Sequence, residues 1–291
     1  MIPARFEYHV ASDVPAAIAL LGRYGDEAKL LAGGQSLIPL MRFRLAQPAH
    51  LIDLGRISDL AYVRENDGHL AIGALTREVD LEGSAVVAER YPILVDASSV
   101  VADPLVRNLA TVGGNVAHAD PANDHPAVML ALRAEVVAEG PRGRRTIAID
   151  DFFVDTFTTA LGQDEVLVEL RVPRSRPSSG GAYLKLERKV GDYAIAGVAA
   201  HVVLNPQGGL EQVGIGLTNV GPTPIRAARA EAALLDAGLD ESSLRQAGAL
   251  AADEADPVGD LRGPADYKRA VVRTLTVRAL RRAVDRAGAR R

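Results

Sequence analysis

Two stretches of the chain place a glycine pair beside a side-chain amide. The first is Ala32-Gly33-Gly34-Gln35-Ser36, directly after the apolar Leu30-Leu31; the second is Thr111-Val112-Gly113-Gly114-Asn115, after Leu109-Ala110. Residues without a Cβ let the backbone approach a ligand closely and take up positive φ, so that several N–H groups can converge on one phosphate. A helix beginning just afterwards adds the positive end of its dipole. In the first corner Gly33 and Gly34 would supply the converging amides, and the Ser36 hydroxyl either caps the next helix or bonds a phosphate oxygen. In the second, Gly113 and Gly114 would do the same, flanked by the Thr111 hydroxyl and the Asn115 amide. One such pair is no more than a tight strand-to-helix turn. Two with matching flanks suit a diphosphate held between facing loops. Neither GxGxxG between strand and helix nor GxxxxGK[ST] occurs, so the dinucleotide fingerprint and the P-loop are both excluded.

Other chemistry-bearing residues are fewer. His118, Asp120, Asp124 and His125 crowd into eight positions. Asp120 before Pro121 reads as an N-cap, however, and Asp124 then falls in a first helical turn, where a carboxylate suits the dipole. They are therefore not read as a metal site, and no metal ligand is assigned. Asp124 is also placed to bond a ribose hydroxyl. Tyr193, in Gly191-Asp192-Tyr193 at the start of a strand, reads equally as a core aromatic or as a plate for a flat ring. No Ser/His/Asp or paired-carboxylate spacing is present, so no catalytic acid, base or nucleophile is assigned.

The absence of cysteine limits the chemistry further. It excludes disulfides, thiolate nucleophiles and any thiolate-ligated iron–sulfur cluster on this chain. Redox work here would rest on an organic cofactor held without covalent bonds, with metals elsewhere. The remaining composition, 291 residues with 48% hydrophobic and 24% charged, is that of a soluble globular protein of two or three modules. No apolar stretch reaches the roughly 20 residues that span a bilayer, and the N-terminus lacks a leader pattern, so a cytoplasmic protein without a transmembrane segment is expected. A net charge of -4 gives no reason to expect nucleic acid. Residues 268–291 nevertheless carry nine Lys or Arg and one Asp, read as a solvated basic helix, with docking to an acidic partner as the alternative.

The elements needed to position these corners follow from local signals. An extended FEYHVA precedes a helix capped by Asp13, with Pro15 in its first turn and Gly25 after its last. The strand AKLLAGG, a helix from Ser36 that tolerates Pro39 in its first turn, and the strand of QPAHLIDLG complete a β-α-β-α-β unit over residues 1–54. Residues 55–175 contain a hairpin (YVREND, a turn, HLAIGAL), helices around 76–101, the second glycine corner, a helix near 122–133 and two strands in AEVVAEGPRGRRTIAI. The Pro-, Ser- and Gly-rich RVPRSRPSSGG is the linker candidate. Residues 176–291 then read as three antiparallel strands followed by three helices.

AGGQSLIPLM, TVGGN with DPANDHPA behind it, KVGDYAIAG and GPADYKRAVVRTLTVRAL together resemble the FAD-binding medium subunit of molybdenum hydroxylases, over essentially the whole chain and most nearly its aerobic carbon monoxide dehydrogenase branch. The resemblance implies an α+β fold: two α/β modules of the vanillyl-alcohol-oxidase type gripping FAD, plus a C-terminal domain of three strands and a helical bundle. It places Ala32, Gly33, Gly34, Gln35 and Ser36, with Thr111, Val112, Gly113, Gly114 and Asn115, on the FAD diphosphate, Asp124 on the cofactor, and Lys185 and Tyr193 beside the isoalloxazine ring. Histidine also occurs in relatives where Gln35 stands, so the expected role there is the backbone's. It further implies a large subunit with the molybdenum cofactor, a small subunit with two [2Fe-2S] clusters, a dimer of heterotrimers, an external acceptor such as a quinone, and a cytoplasmic location that can be peripheral at the inner membrane face. Carbon monoxide and water would yield carbon dioxide, two electrons and two protons. A medium subunit of a related xanthine, aldehyde or N-heterocycle dehydrogenase, and a self-sufficient flavin oxidoreductase of the same fold, stay open as alternatives.

Overall fold

The first helix starts where its cap requires. The Asp13 carboxylate accepts the Ala16 N–H at 2.8 Å, Pro15 sits in the first turn, and Gly25 ends the helix at φ 53°. Around it run β1 (Glu7–Val10), α1 (Val14–Tyr24), β2 (Ala28–Leu31), α2 (Leu37–Arg42) and β3 (His50–Asp53). The three strands are parallel in the order β1-β3-β2, with His50 opposite both Glu7 and Ala28. The computed structural model describes residues 1–66 and 68–290; Asp67 of the expected hairpin and Arg291 of the basic tail lie outside them.

The second module opens with the antiparallel pair β4 (Val63–Asn66) and β5 (His69–Gly73). Short helices follow: α3 (Glu78–Glu82), α4 (Ala85–Arg90), α5 (Pro92–Ser99), α6 (Pro104–Arg107), α7 (Val112–His118) and α8 (Asp124–Ala131). Then come β6 (Glu135–Gly140), β7 (Gly143–Ala148), a small ribbon of β8 (Phe153–Asp155) and β9 (Thr158–Thr159), and β10 (Val166–Pro173). The main sheet has the order β4-β5-β10-β6-β7. Its central strand β10 is not among the strands expected from the sequence, and the linker is correspondingly shorter: β10 runs to Pro173 and the next strand begins at Ser179. The cause is burial on both faces. Val166 and Val168 pack into the core of the first module, while Leu167, Leu170 and Val172 pack into that of the second, and a bulge between Leu167 and Glu169 reverses the parity midway. Such a strand has no simple alternation to read.

The C-terminal part has β11 (Ser179–Leu186), β12 (Ala196–Leu204) and β13 (Leu210–Thr218) as expected, and a fourth short strand, β14 (Ile225–Arg226), that was not. Two residues give too little pattern to detect. The helices α9 (Ala228–Ala237), α10 (Glu241–Glu254) and α11 (Ala265–Gly288) cover the sheet around an Ala/Val/Leu core. The other face of β13 receives α8. A Cβ on Gly214 or Gly216 would stand 2.0 Å from the carbonyl oxygens of Ala131 or Ala127, so these glycines let the helix rest directly on the strand.

The basic helix α11 is not simply solvated. Arg286 donates to Asp96 at 2.6 Å, Arg282 pairs with the same carboxylate at 3.2 Å, and Lys268 pairs with Asp260 at 2.9 Å. Arg281 pairs with Glu241. Much of the charge asymmetry along the sequence is thus neutralised within the chain. Among the described residues no helix is long and apolar enough to cross a membrane.

Candidate cofactor site

The fold brings the two glycine corners into contact. A Cβ on Gly33 would lie 2.2 Å from the Leu109 carbonyl oxygen, and one on Gly114 would lie 3.8 Å from the Ala32 side chain. The first corner has the character expected of it. Gly34 has φ 72°, a conformation costly for any residue with a Cβ. None of the N–H groups of Gly33 to Ser36 donates a hydrogen bond among the described residues. Ser36 occupies the N-cap position of α2 without a side-chain capping bond, which leaves its hydroxyl for a ligand. Gln35 folds back, donating from Nε2 to the Gly33 carbonyl at 3.0 Å.

The second corner differs from the expected nest. Val112 to His118 is already helical, with Gly113 and Gly114 in its first turn and neither at positive φ. Its amides are taken: Val112 donates to Thr76 O at 3.0 Å, Gly113 to Ala74 O at 3.1 Å, Gly114 to Thr111 Oγ1 at 3.1 Å and Asn115 to Thr111 O at 2.9 Å. Gly113 lacks a Cβ for a packing reason, since one there would stand 2.6 Å from both the Cα and the carbonyl oxygen of Ala74. Thr111 is the N-cap, a role the sequence reading did not give it. What this corner offers outward is a bare Gly114 beside Ala32, together with the Asn115 amide. The Asn115 Oδ1 is buried and has no partner among the described residues, and a buried acceptor ordinarily has one.

From Asn115 the site continues to a charged cluster. Asn123 Nδ2 donates to Asn115 O at 2.8 Å, tying α7 to the start of α8. Asn123, not Asp120, holds the N-cap position of α8; the Asp120 carboxylate instead accepts the Ala122 N–H at 2.9 Å in a turn. Asp124 is 6% exposed. Its Oδ1 accepts from the Tyr183 hydroxyl at 2.7 Å and its Oδ2 from Lys185 Nζ at 3.1 Å. Burial raises its carboxyl above the usual range, against the opposing pull of the Lys185 ammonium and the Tyr183 hydroxyl. The Tyr183 hydroxyl is raised well above its ordinary value by burial and by the Asp124 charge.

Lys185 also donates to Val100 O at 2.7 Å and to Asp192 O at 3.2 Å. It thereby joins α5, α8 and the segment carrying Tyr193. That segment precedes β12 rather than starting it. Tyr193 is 44% exposed, so its ring is not a core side chain. Arg262 lies 5.6 Å from the ring centroid and pairs with Asp192 at 3.3 Å.

The residues singled out from the sequence therefore form one track, from the joined corners through Asn115 and Asp124 to Lys185 and Tyr193. Sequence reasoning missed Tyr183 and Arg262. The first was detectable, because Tyr183 and Lys185 are two apart and share a strand face; Arg262 arrives from a distant loop with no signal. The crowded acids and histidines do not converge. Asp124 belongs to the track, His118 stands 5.1 Å from the Phe157 ring, and His125 is buried against Glu78 at 2.7 Å. Burial would lower the His125 pKa, and the Glu78 carboxylate raises it.

Free amides at a positive-φ glycine, an orphaned buried amide oxygen, a lysine–carboxylate pair and a partly exposed aromatic ring fit an elongated cofactor with a diphosphate and a flat ring. The family comparisons agree. Residues 4–175 match the model of the FAD binding domain in molybdopterin dehydrogenase, and residues 181–283 match that of the CO dehydrogenase flavoprotein C-terminal domain. The carbon monoxide dehydrogenase medium chain of Hydrogenophaga pseudoflava is 47% identical over 96% of this chain and 97% of its own length. That of Afipia carboxidovorans is 44% identical over 100% and 99%. Among solved structures, the carbon monoxide dehydrogenase from Hydrogenophaga pseudoflava lacking the Mo-pyranopterin moiety superposes with a TM-score of 0.96 at 49% identity, covering 98% of this chain and 99% of that one. With matching models over both its parts and relatives along its full length, the chain belongs to the FAD-binding medium subunits of the molybdenum hydroxylases.

Proposed function

We propose that this chain is the electron-transferring flavoprotein subunit of an aerobic carbon monoxide dehydrogenase. Carbon monoxide and water would be converted to carbon dioxide, two electrons and two protons at molybdenum on a large partner subunit. Two [2Fe-2S] clusters on a small partner would relay the electrons to this chain, which passes them to an external acceptor such as a quinone. The functional unit would be a dimer of heterotrimers, cytoplasmic or resting against the inner membrane face. The observation that carries the division of labour is the complete absence of cysteine beside an intact cofactor track.

FAD, when bound, exchanges electrons singly or in pairs, and the chain's own residues bind and orient it. The free amides of Gly33 to Ser36 and the Ser36 hydroxyl would hold the diphosphate against Ala32. Thr111 and Val112 would fix the opposite wall, where Gly114 lies beside Ala32 and Asn115 offers an oxygen that has no partner among the described residues. Asp124 acts by holding Lys185, which together with Tyr193 would border the isoalloxazine. Modules 1–54 and 55–175 would grip the cofactor while 176–291 covers its ring end.

The test is anaerobic exposure of the flavin-loaded chain to carbon monoxide, alone and with both partner subunits, following the visible flavin band. Bleaching is expected only with the partners present. Bleaching of the lone chain would overturn the subunit reading. A full assembly that bleaches with an aldehyde or N-heterocycle but not with carbon monoxide would keep the family and replace the substrate.

A further inference from the structure

At the edge of the first sheet, away from the cofactor track, three side chains from two strands meet at one point. Glu7 and His9 are two residues apart on β1 and share a face; His50 stands opposite Glu7 on β3. His9 Nε2 lies 3.1 Å from His50 Nδ1, and Glu7 Oε2 lies 3.5 Å from His50 Nδ1 and 3.9 Å from His9 Nε2. Three donors around a tetrahedral ion with bonds of about 2.0–2.1 Å would be separated by about 3.3 Å. Two of the observed separations lie within about 0.2 Å of that value, and the His9–Glu7 separation of 3.9 Å closes with a turn of the exposed Glu7 side chain.

The surroundings hold the donors in place without consuming them. Tyr24, at the end of α1, stacks on His50 with ring centroids 3.7 Å apart at 14°, and on His9 at 5.0 Å and 26°. The stacking fixes both imidazole planes and uses none of their nitrogens. The histidine side chains are 22% and 14% exposed, while Glu7 is 65% exposed, so the open side faces solvent where water can complete the coordination. Glu7 has no lysine or arginine partner among the described residues, and Arg23 rests on the Tyr24 ring at 5.0 Å instead. Two imidazoles with one carboxylate suit a borderline ion, whereas magnesium and calcium call for oxygen donors throughout.

We propose that Glu7, His9 and His50 bind one zinc(II) ion, with water in the fourth position. The ion braces β1, an edge strand of its sheet, against β3 at a point separate from the cofactor.

The experiment uses the tag-free full chain, stripped with a chelator and titrated with zinc sulfate by calorimetry and thermal melting. Uptake of one zinc per chain is expected, with a rise in Tm of about 5 °C at saturating zinc and no response to magnesium sulfate. His9→Ala and His50→Ala should each weaken binding at least about 10-fold. Because those variants also disturb the stack on Tyr24, the exposed Glu7→Gln is the deciding one: its zinc-free melting should match the parent while its zinc affinity falls. No stoichiometric uptake by the parent, or parental affinity in Glu7→Gln, would overturn the site and leave the two rings as a hydrogen-bonded pair.

Discussion

At the first glycine corner the amides of Gly33 to Ser36 donate to nothing among the described residues and Gly34 sits at φ 72°; at the second, four successive amides are bonded within the chain and both glycines are helical. The layouts match in sequence and the physics does not. The first corner uses the missing Cβ of Gly34 for conformation, leaving backbone donors for a ligand, while its Gly33 admits the Leu109 carbonyl. The second uses both for approach, Gly113 letting α7 begin against Ala74 and Gly114 leaving room for the Thr111 hydroxyl that caps it. A glycine pair after an apolar run therefore predicts proximity of something, and only the hydrogen-bond inventory tells whether that is a ligand or another part of the chain.

This contrast can be broken most severely at Gly113. Gly113→Val would drive side-chain atoms into the backbone of Ala74, and a loss of soluble folded protein, or a fall in Tm of more than about 10 °C, is expected. A Gly113→Val protein melting like the parent would remove the packing explanation. Next comes Gly34→Ala, where positive φ costs about 1–2 kcal/mol. It should fold, melt a few degrees lower and lose FAD, read as the ratio of flavin to protein absorbance; full FAD retention would mean that the first corner is not the diphosphate site.

A smaller effect is expected from Thr111→Val, which removes the cap on the Gly114 N–H at a cost of about 1 kcal/mol. FAD retention should drop less than in Gly34→Ala, and Thr111→Ser should restore stability. The reverse order of FAD loss would make the second corner the principal binder. Ser36→Ala is the mildest. Its hydroxyl makes no capping bond, so stability should stay within about 0.5 kcal/mol, and a selective rise in the FAD dissociation constant would place that oxygen on the ligand. Unchanged affinity would return Ser36 to the solvent.

Much of the first module was legible because its signals are local: Asp13, Pro15 and Gly25 mark the limits of α1 within a dozen residues. The three C-terminal strands were equally legible from their apolar runs. The candidate residues could be singled out by type and spacing, but the physics of the second corner was misread, since a free amide and a bonded one look alike in a sequence. Long-range partners were the other gap. Glu78 and His125 form a buried pair 47 positions apart, and Glu7, His9 and His50 meet only when β1 and β3 align. The expectation of a cap at Asp120 failed for a smaller reason: an aspartate before proline suits an Asx turn as well as a cap, and Asn123 directly precedes the helix.

β10 also has a temporal meaning. It is the common wall of two cores, contributing Val166 and Val168 to one and Leu170 and Val172 to the other, and it pairs with β5, about a hundred positions earlier in the chain. During synthesis the first 160 residues therefore emerge as helices and hairpins lacking the strand that closes both hydrophobic interiors. Neither α/β module can mature alone at the ribosome exit. A chain ending just before Val166 is therefore expected to leave both interiors open and to aggregate rather than fold as a smaller module.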